Sequence, residues 1–355
     1  MDPRSVADWE VDSAPQGTHH VVSATCISCS EKKEGGQETY SYPVNKVNGI
    51  TYPMSCSQER WVHLNETVRY KESDLLIVTY PKCGTTWIEQ CVLLLLNDGN
   101  QELLNPAHKN VYIPDNPSAR VGKIWPEACI SQDPIFYEKS GLEFKAITLD
   151  EFNDAPNPRI IKSHAPVELI LGGVNNIPSS TKVIIVVRNL LDACVSSYYH
   201  AFNPFKSGWP FSAWAAVWLS GNFAHGSWFD WIKGWYKFYT LNKSNRNIHW
   251  VCFEDLKANP KETVQSLADF LGVGAETELV NRAVVNSTFE SMKEQSLLSG
   301  GDAKGHLRKG ESGDWKNHYN EELRSQFLSK FHSELEGTGI SFMLSSDVNE
   351  RIVAI

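Results

Sequence analysis

The chain has 355 residues, 41% of them hydrophobic and 21% charged, a globular mix long enough for one large domain or two ordinary ones. Its net charge of −9 argues against broad binding to nucleic acid or anionic membranes, so any anion site must be a local gathering of Lys and Arg. No apolar run approaches the ~18 residues of a membrane span.

In chain order, residues 1–45 are polar and weakly periodic and read as a flexible N-terminal extension. They open without the apolar stretch of a signal peptide. Cys26 and Cys29 form one CxxC, half of a zinc site with no second pair, and so read as incidental thiols. The eight cysteines are scattered, several inside apolar runs, which favours a reducing compartment and a cytoplasmic location. With no export signal, the N-x-[ST] sequons at Asn65, Asn242 and Asn286 read as chance matches.

Residues 46–345 read as one α/β domain, with 346–355 as a C-terminal tail. Strand-length apolar runs recur at 74–80, 159–164, 182–188 and 249–255. They are rich in Val and Ile and lack polar alternation, as strands buried on both faces of a parallel sheet do. Helical stretches lie between them at 85–96, 191–202, 211–220, 226–241 and 261–271. This alternation predicts a central, mostly parallel sheet flanked by helices, with ligands bound beyond the carboxyl ends of the strands. Lys82, Lys162 with His164, and Arg188 all fall at such ends. The stretch 296–314, "SLLSGGDAKGHLRKGESGD", reads as a long loop of the kind that often forms a lid.

The turn "TYPKCGTTW" (79–87) follows the first of these strands. Pro81 stiffens it, and Gly84 lets backbone N–H groups point inward. Thr85 and Thr86 can cap the next helix, Lys82 adds charge, and Trp87 can offer a face to a base. Together these suit an anion at a helix N-terminus, a P-loop-like cradle. An ATP loop needs its lysine after the second glycine, whereas here it precedes the only one.

Three further stretches, "KSHAP" (162–166), "RNLLDACVSSYYH" (188–200) and "RKGESGDWKN" (308–317), join "YPKCGTTW" in an order and spacing that resemble the cytosolic sulfotransferases. The resemblance covers roughly residues 46–345. It implies 3′-phosphoadenosine 5′-phosphosulfate (PAPS) as co-substrate and sulfuryl transfer to a hydroxyl or amine. Carried over by motif position, Lys82, Cys83, Gly84, Thr85 and Thr86 would form the 5′-phosphosulfate loop, and Trp87 would stack on adenine. Arg188, Ser196, Arg308, Lys309 and Gly310 would hold the 3′-phosphate. Ser287 and Phe289 would contact the adenine, as would Phe253, which stands where the family usually carries Tyr. His164 would be the catalytic base, with Lys82 and Lys162 stabilising charge. Such chemistry needs no metal, and the sequence has no cluster that demands one.

The residues support that division independently. A donor with two separated phosphate groups needs two anion sites, and the sequence offers the loop at 82–86 and the group from 188, 196 and 308–309. Period-2 spacing puts Lys162 and His164 on one face. Cys83 stands where many members carry Ser, beside Lys82 and a helix N-terminus, where a low-pKa, redox-sensitive thiol is conceivable. The stretch "KNHYNEELRS" (316–325) departs from the family's dimer segment at Asn320, Glu321 and Ser325, which leaves a homodimer open.

Residues 209–239 hold six tryptophans, at 209, 214, 218, 228, 231 and 235. Helical spacing favours core packing for them. With Phe136, Tyr137 and Phe202 some could wall an apolar site for a phenol, catechol, amine or other small alcohol. Two other readings stand beside this one: a P-loop-type nucleotide kinase, and a nucleotide-binding protein without turnover.

Overall fold

Aliphatic runs of strand length, buried on both faces, assemble the centre of this protein. The computed structural model describes residues 2–28, 38–104, 123–130, 147–200, 207–242, 244, 247–274, 276–298, 307–343 and 351–354. The strands are β1 (Trp9–Gln16), β2 (His19–Cys26), β3 (Thr39–Val47), β4 (Ile50–Tyr52), β5 (Leu75–Thr79), β6 (Lys123–Ile124), β7 (Ile160–Ser163), β8 (Lys182–Val187), β9 (Ile248–Cys252), β10 (Ile340–Met343) and β11 (Arg351–Ala354). Five of them form a sheet of order β6-β7-β5-β8-β9, parallel throughout. All residues of β5 and β7 are buried, as expected for strands covered by helices on both sides.

β5 lies at the centre, and the chain crosses it between β7 and β8. The carboxyl ends of β5, β7 and β8 therefore adjoin at a topological switch point, where open α/β sheets hold ligands. The amino ends of β5 and β7 are clamped by a buried bidentate pair. Arg159 Nε lies 2.8 Å from Asp74 Oδ1 and its Nη2 2.6 Å from Oδ2. Removing either partner would leave a buried charge unpaired.

The expected helices appear at Thr85–Leu96, Leu190–Tyr198, Phe211–Leu219, Trp228–Leu241 and Pro260–Leu271. Trp214, Trp218, Trp228, Trp231 and Trp235 are fully buried, so the aromatic stretch is core. Each large apolar side chain buried this way contributes roughly 1.5–3 kcal/mol.

Several expectations require correction. Residues 2–28 and 38–45 are no free tail, since they supply β1, β2 and most of β3 to an antiparallel sheet of order β1-β2-β3-β4. Val22, Ala24 and Cys26 alternate inward on β2, and Tyr42 and Val44 on β3. Trp9 Nε1 donates to Ser212 Oγ at 2.9 Å, and Tyr42 Oη to the Asn222 carbonyl at 2.7 Å, docking the sheet on the aromatic helices. The period-2 signal is weak in sequence because small and polar residues carry it. Asn48 and Gly49, both at positive φ, make the tight turn between β3 and β4. Cys26 is disulfide-bonded rather than an incidental thiol.

The tail 346–355 contributes β11, which pairs antiparallel with β10. The fourth apolar run stops at Cys252, and Phe253–Ala258 turns into a helix. Helix Phe289–Leu298 intrudes on the expected loop at 296–314. Asn320 caps helix Glu321–Leu335 by accepting from the Leu323 amide at 2.7 Å, which gives this departure from the family pattern a local structural use. Among the described residues no helix is long and apolar enough to cross a membrane.

Candidate active site

The turn after β5 is held open by its backbone. Lys82 takes φ 69°, and Gly84, at φ 101°, precedes helix Thr85–Leu96 with no side chain to cap it. The first amides of the helix thus remain available to an anion. A Cβ on Gly84 would lie 2.6 Å from Phe253 Cδ2, so the Phe253 ring rests directly on the turn. Trp87 meets the same ring edge-on, with centroids 5.4 Å apart, and its buried Nε1 has no partner.

Arg188, at the end of β8, joins this turn to the late loop. Its Nη1 donates to the Lys82 carbonyl at 3.0 Å and its Nη2 to the Glu311 carbonyl at 3.0 Å. The guanidinium lies over the Phe253 ring at 4.2 Å, and its buried Nε is unpartnered. Burial first, and then the positive charges of Arg188, Lys162 and Arg308, push Lys82 down to about 7. Arg188, Lys162 and Arg308, from three other segments, therefore stand close enough to Lys82 to repel its charge.

The late loop is tied down by two carboxylates. Asp192 accepts from the Gly313 amide at 2.6 Å and the Trp315 amide at 3.1 Å. Asp314 accepts from Arg308 Nη2 at 2.5 Å and Lys309 Nζ at 2.6 Å. Arg308 also lies over the Tyr199 ring at 4.4 Å. Gly310 sits against Phe289, whose ring leaves no room for a Cβ there.

His164 follows β7 and is 8% exposed. Its Nδ1 is 2.8 Å from the Thr79 carbonyl, which can only accept, so Nδ1 carries the proton and Nε2 the lone pair. Burial, then Lys162 and His225, hold the imidazole well below its usual value, while the Thr79 carbonyl acts in the opposite sense. Trp125 meets His164 edge-on at 5.0 Å and lies under Lys162 Nζ at 4.3 Å. Trp231 Nε1 donates to the His164 carbonyl at 3.1 Å, so the aromatic core fixes the backbone of this segment.

The geometry thus unites Lys82, Gly84, Trp87, Arg188 and Phe253 at one end of the site. Arg308, Lys309 and Gly310 share the late loop, with Phe289 of helix Phe289–Leu298 against Gly310, and Lys162 and His164 lie at and just past the end of β7. Thr85 is buried and bonds the Thr79 hydroxyl at 2.6 Å, while Thr86 is half-buried. Ser196 is half-buried, four residues past Asp192 on the same helix. Ser287 is turned to its own helix end, donating to the Val284 carbonyl at 3.3 Å. Cys83 is fully buried, and burial pushes its thiol up to about 12, so it is no low-pKa nucleophile. Phe136, Tyr137 and Phe202 lie outside the described residues.

Residues 72–339 match the family model described as "Sulfotransferase domain", which is most of the chain. This chain belongs to that family. Among curated relatives, mouse Sulfotransferase 2B1 is 31% identical over 306 residues, 82% of this chain and 80% of that protein. Mouse Sulfotransferase 1B1 is 30% identical over 284 residues, 76% of this chain and 85% of its own length. The fold is similar to that of mouse sulfotransferase SULT7A1 complexed with PAP, at TM-score 0.62 and 22% identity, covering 83% of this chain and 95% of the other. A retinol dehydratase complexed with retinol and PAP gives TM-score 0.64 and 19% identity, covering 80% and 87%.

Five further residues of this sulfotransferase contact the site: Asp192, Asp314, Trp125, His225 and Glu127. Asp192 and Asp314 lie inside the quoted motifs, yet a motif match assigns them no partner. Trp125 and His225 are adjacent to His164 only in space. His225 takes φ 69°, and burial pushes it down to about 3. Glu127 accepts from the Ser163 hydroxyl, and burial pushes it up to about 7. Only the pairing of β6 with β7 brings Glu127 there.

Proposed function

We propose that this sulfotransferase moves the sulfuryl group of PAPS to a hydroxyl or amine of a small, apolar or aromatic acceptor, with His164 as base. The observation that carries the reading is Arg188. One guanidinium joins the first turn to the late loop and keeps a buried, unpartnered Nε, and its charge, with those of Lys162 and Arg308, bears on Lys82. An orphaned buried donor in a field of positive charge suits a bound anion. The PAP-bound neighbours of the same fold support an adenosine bisphosphate there.

Lys82, Cys83, Gly84, Thr85 and Thr86 would hold the 5′ end, Cys83 through its backbone alone. Arg188, Ser196, Arg308, Lys309 and Gly310 would hold the 3′-phosphate. Trp87, Phe253, Ser287 and Phe289 would bound the adenine; Phe253 offers a ring face and no hydroxyl. PAPS supplies an activated sulfuryl group with a good leaving phosphate. His164 Nε2, kept neutral, can take the acceptor's proton at the atom that attacks sulfur. Lys82 and Lys162 can offset the charge that develops on the oxygens around it. A sulfuryl group carries less charge than a phosphoryl group, so two lysines suffice without a metal in this reading.

Trp125 beside His164, with Tyr52 edge-on to His225 at 4.5 Å, supports a flat, ring-shaped acceptor. Incubation with labelled PAPS and a panel of phenols and biogenic amines, in the presence of a chelator, tests the whole reading. Sulfated product is expected with PAPS and none with ATP. Phosphoryl transfer from ATP with Mg²⁺ would favour a kinase, and nucleotide binding without product would favour an inactive binder.

A further inference from the structure

The late loop carries two cations that face water on one side and share a single buried carboxylate on the other. Arg308 and Lys309 are 27% and 44% exposed in their side chains, whereas Asp314 is 3% exposed. Long side chains so exposed would each lose rotamer freedom on gripping a ligand. Asp314 meets that ordering cost in advance, because its two oxygens fix one cation each.

The carboxylate is itself held. Asn317 Nδ2 donates to its Oδ1 at 3.0 Å, and His318 Nε2 lies 3.4 Å from its Oδ2. Burial works to raise its pKa, but the bonds from Lys309, Arg308 and Asn317 prevail and keep it well below the usual carboxylate range. The turn that carries it is pinned by Asp192 through the amides on either side, Gly313 and Trp315. Gly313, at φ 85°, supplies the left-handed turn.

We propose that Asp314 is a positioning residue that presets Arg308 and Lys309 for the donor's 3′-phosphate, with Asp192 fixing the turn that bears it. The inference rests on the donor reading above. A simple charge argument predicts that neutralising Asp314 strengthens anion binding. The positioning argument predicts the opposite.

Calorimetry with 3′,5′-bisphosphoadenosine and adenosine 5′-phosphate separates the two. In Asp314→Asn the bisphosphate is expected to bind tenfold or more weakly, and the 5′-phosphate to change less than threefold. Asp314→Glu, which restores the charge, should recover most of the loss. Equal losses for both nucleotides would reduce Asp314 to a fold-stabilising residue. Unchanged or tighter bisphosphate binding would overturn the proposal. A parent protein that does not prefer the bisphosphate would instead overturn the donor reading, and this inference with it.

Discussion

His164→Ala is expected to lower kcat for sulfate transfer by at least 10²- to 10⁴-fold, the range of a positioned general base. Binding of 3′,5′-bisphosphoadenosine should change less than threefold, because the imidazole stands at the end of β7 and the nucleotide cations come from other segments. The geometry explains why the effect should fall on kcat. Nδ1 is committed to the Thr79 carbonyl, so only Nε2 can take a proton. Burial and the neighbouring Lys162 keep the ring neutral. With the base depressed in this way, the acid limb of the parent rate profile should lie below pH 6.5, the ordinary histidine value, and should vanish in the variant. A variant that turns over at the parent rate would remove His164 from the reaction.

Arg188→Ala is the second large effect. The side chain spans the first turn and the late loop, so its loss removes a charged donor set and frees both segments. Hydrogen bonds to charged groups are worth about 1.5–3 kcal/mol. Affinity for 3′,5′-bisphosphoadenosine should therefore fall roughly 10- to 100-fold. Adenosine 5′-phosphate should lose well under tenfold, since Lys82 and the helix amides remain. A thermal melt of the variant controls for folding, as Arg188 is itself largely buried. A bisphosphate affinity within threefold of the parent would contradict the assignment.

The parallel sheet was legible because its strands are continuous aliphatic runs, and burial on both faces leaves no other composition. The cation-bearing turns were legible because short motifs keep their residues adjacent in sequence. What escaped notice depends on pairing at a distance. β2 hides its inward face in Val22, Ala24 and Cys26, too small and too interrupted by polar neighbours to mark a strand. β6 is two residues long and is recognisable only beside β7. Asp192 and Asp314 could be seen in the motifs, but their use becomes apparent only when the late loop folds over helix Leu190–Tyr198. Cys83 shows the converse error. Its neighbours in sequence suggest an activated thiol, while burial in the fold raises the thiol and outweighs the Arg188 charge.

The N-terminal sheet has a further consequence for the site. Its last strand reaches His225: the Thr51 carbonyl accepts from the His225 amide at 2.7 Å and Tyr52 packs on the His225 ring. His225 in turn stands 5.4 Å from His164, centroid to centroid. Thr51 and Tyr52 thus help to position the neighbourhood of His164.

The most direct measurement compares three nucleotides on the unaltered protein by calorimetry: 3′,5′-bisphosphoadenosine, adenosine 5′-phosphate and adenosine 3′-phosphate. If two cationic clusters grasp opposite ends of one nucleotide, the doubly phosphorylated form will bind at least 100-fold more tightly than either singly phosphorylated one. Equal affinity for the bisphosphate and the better of the two monophosphates would contradict the account.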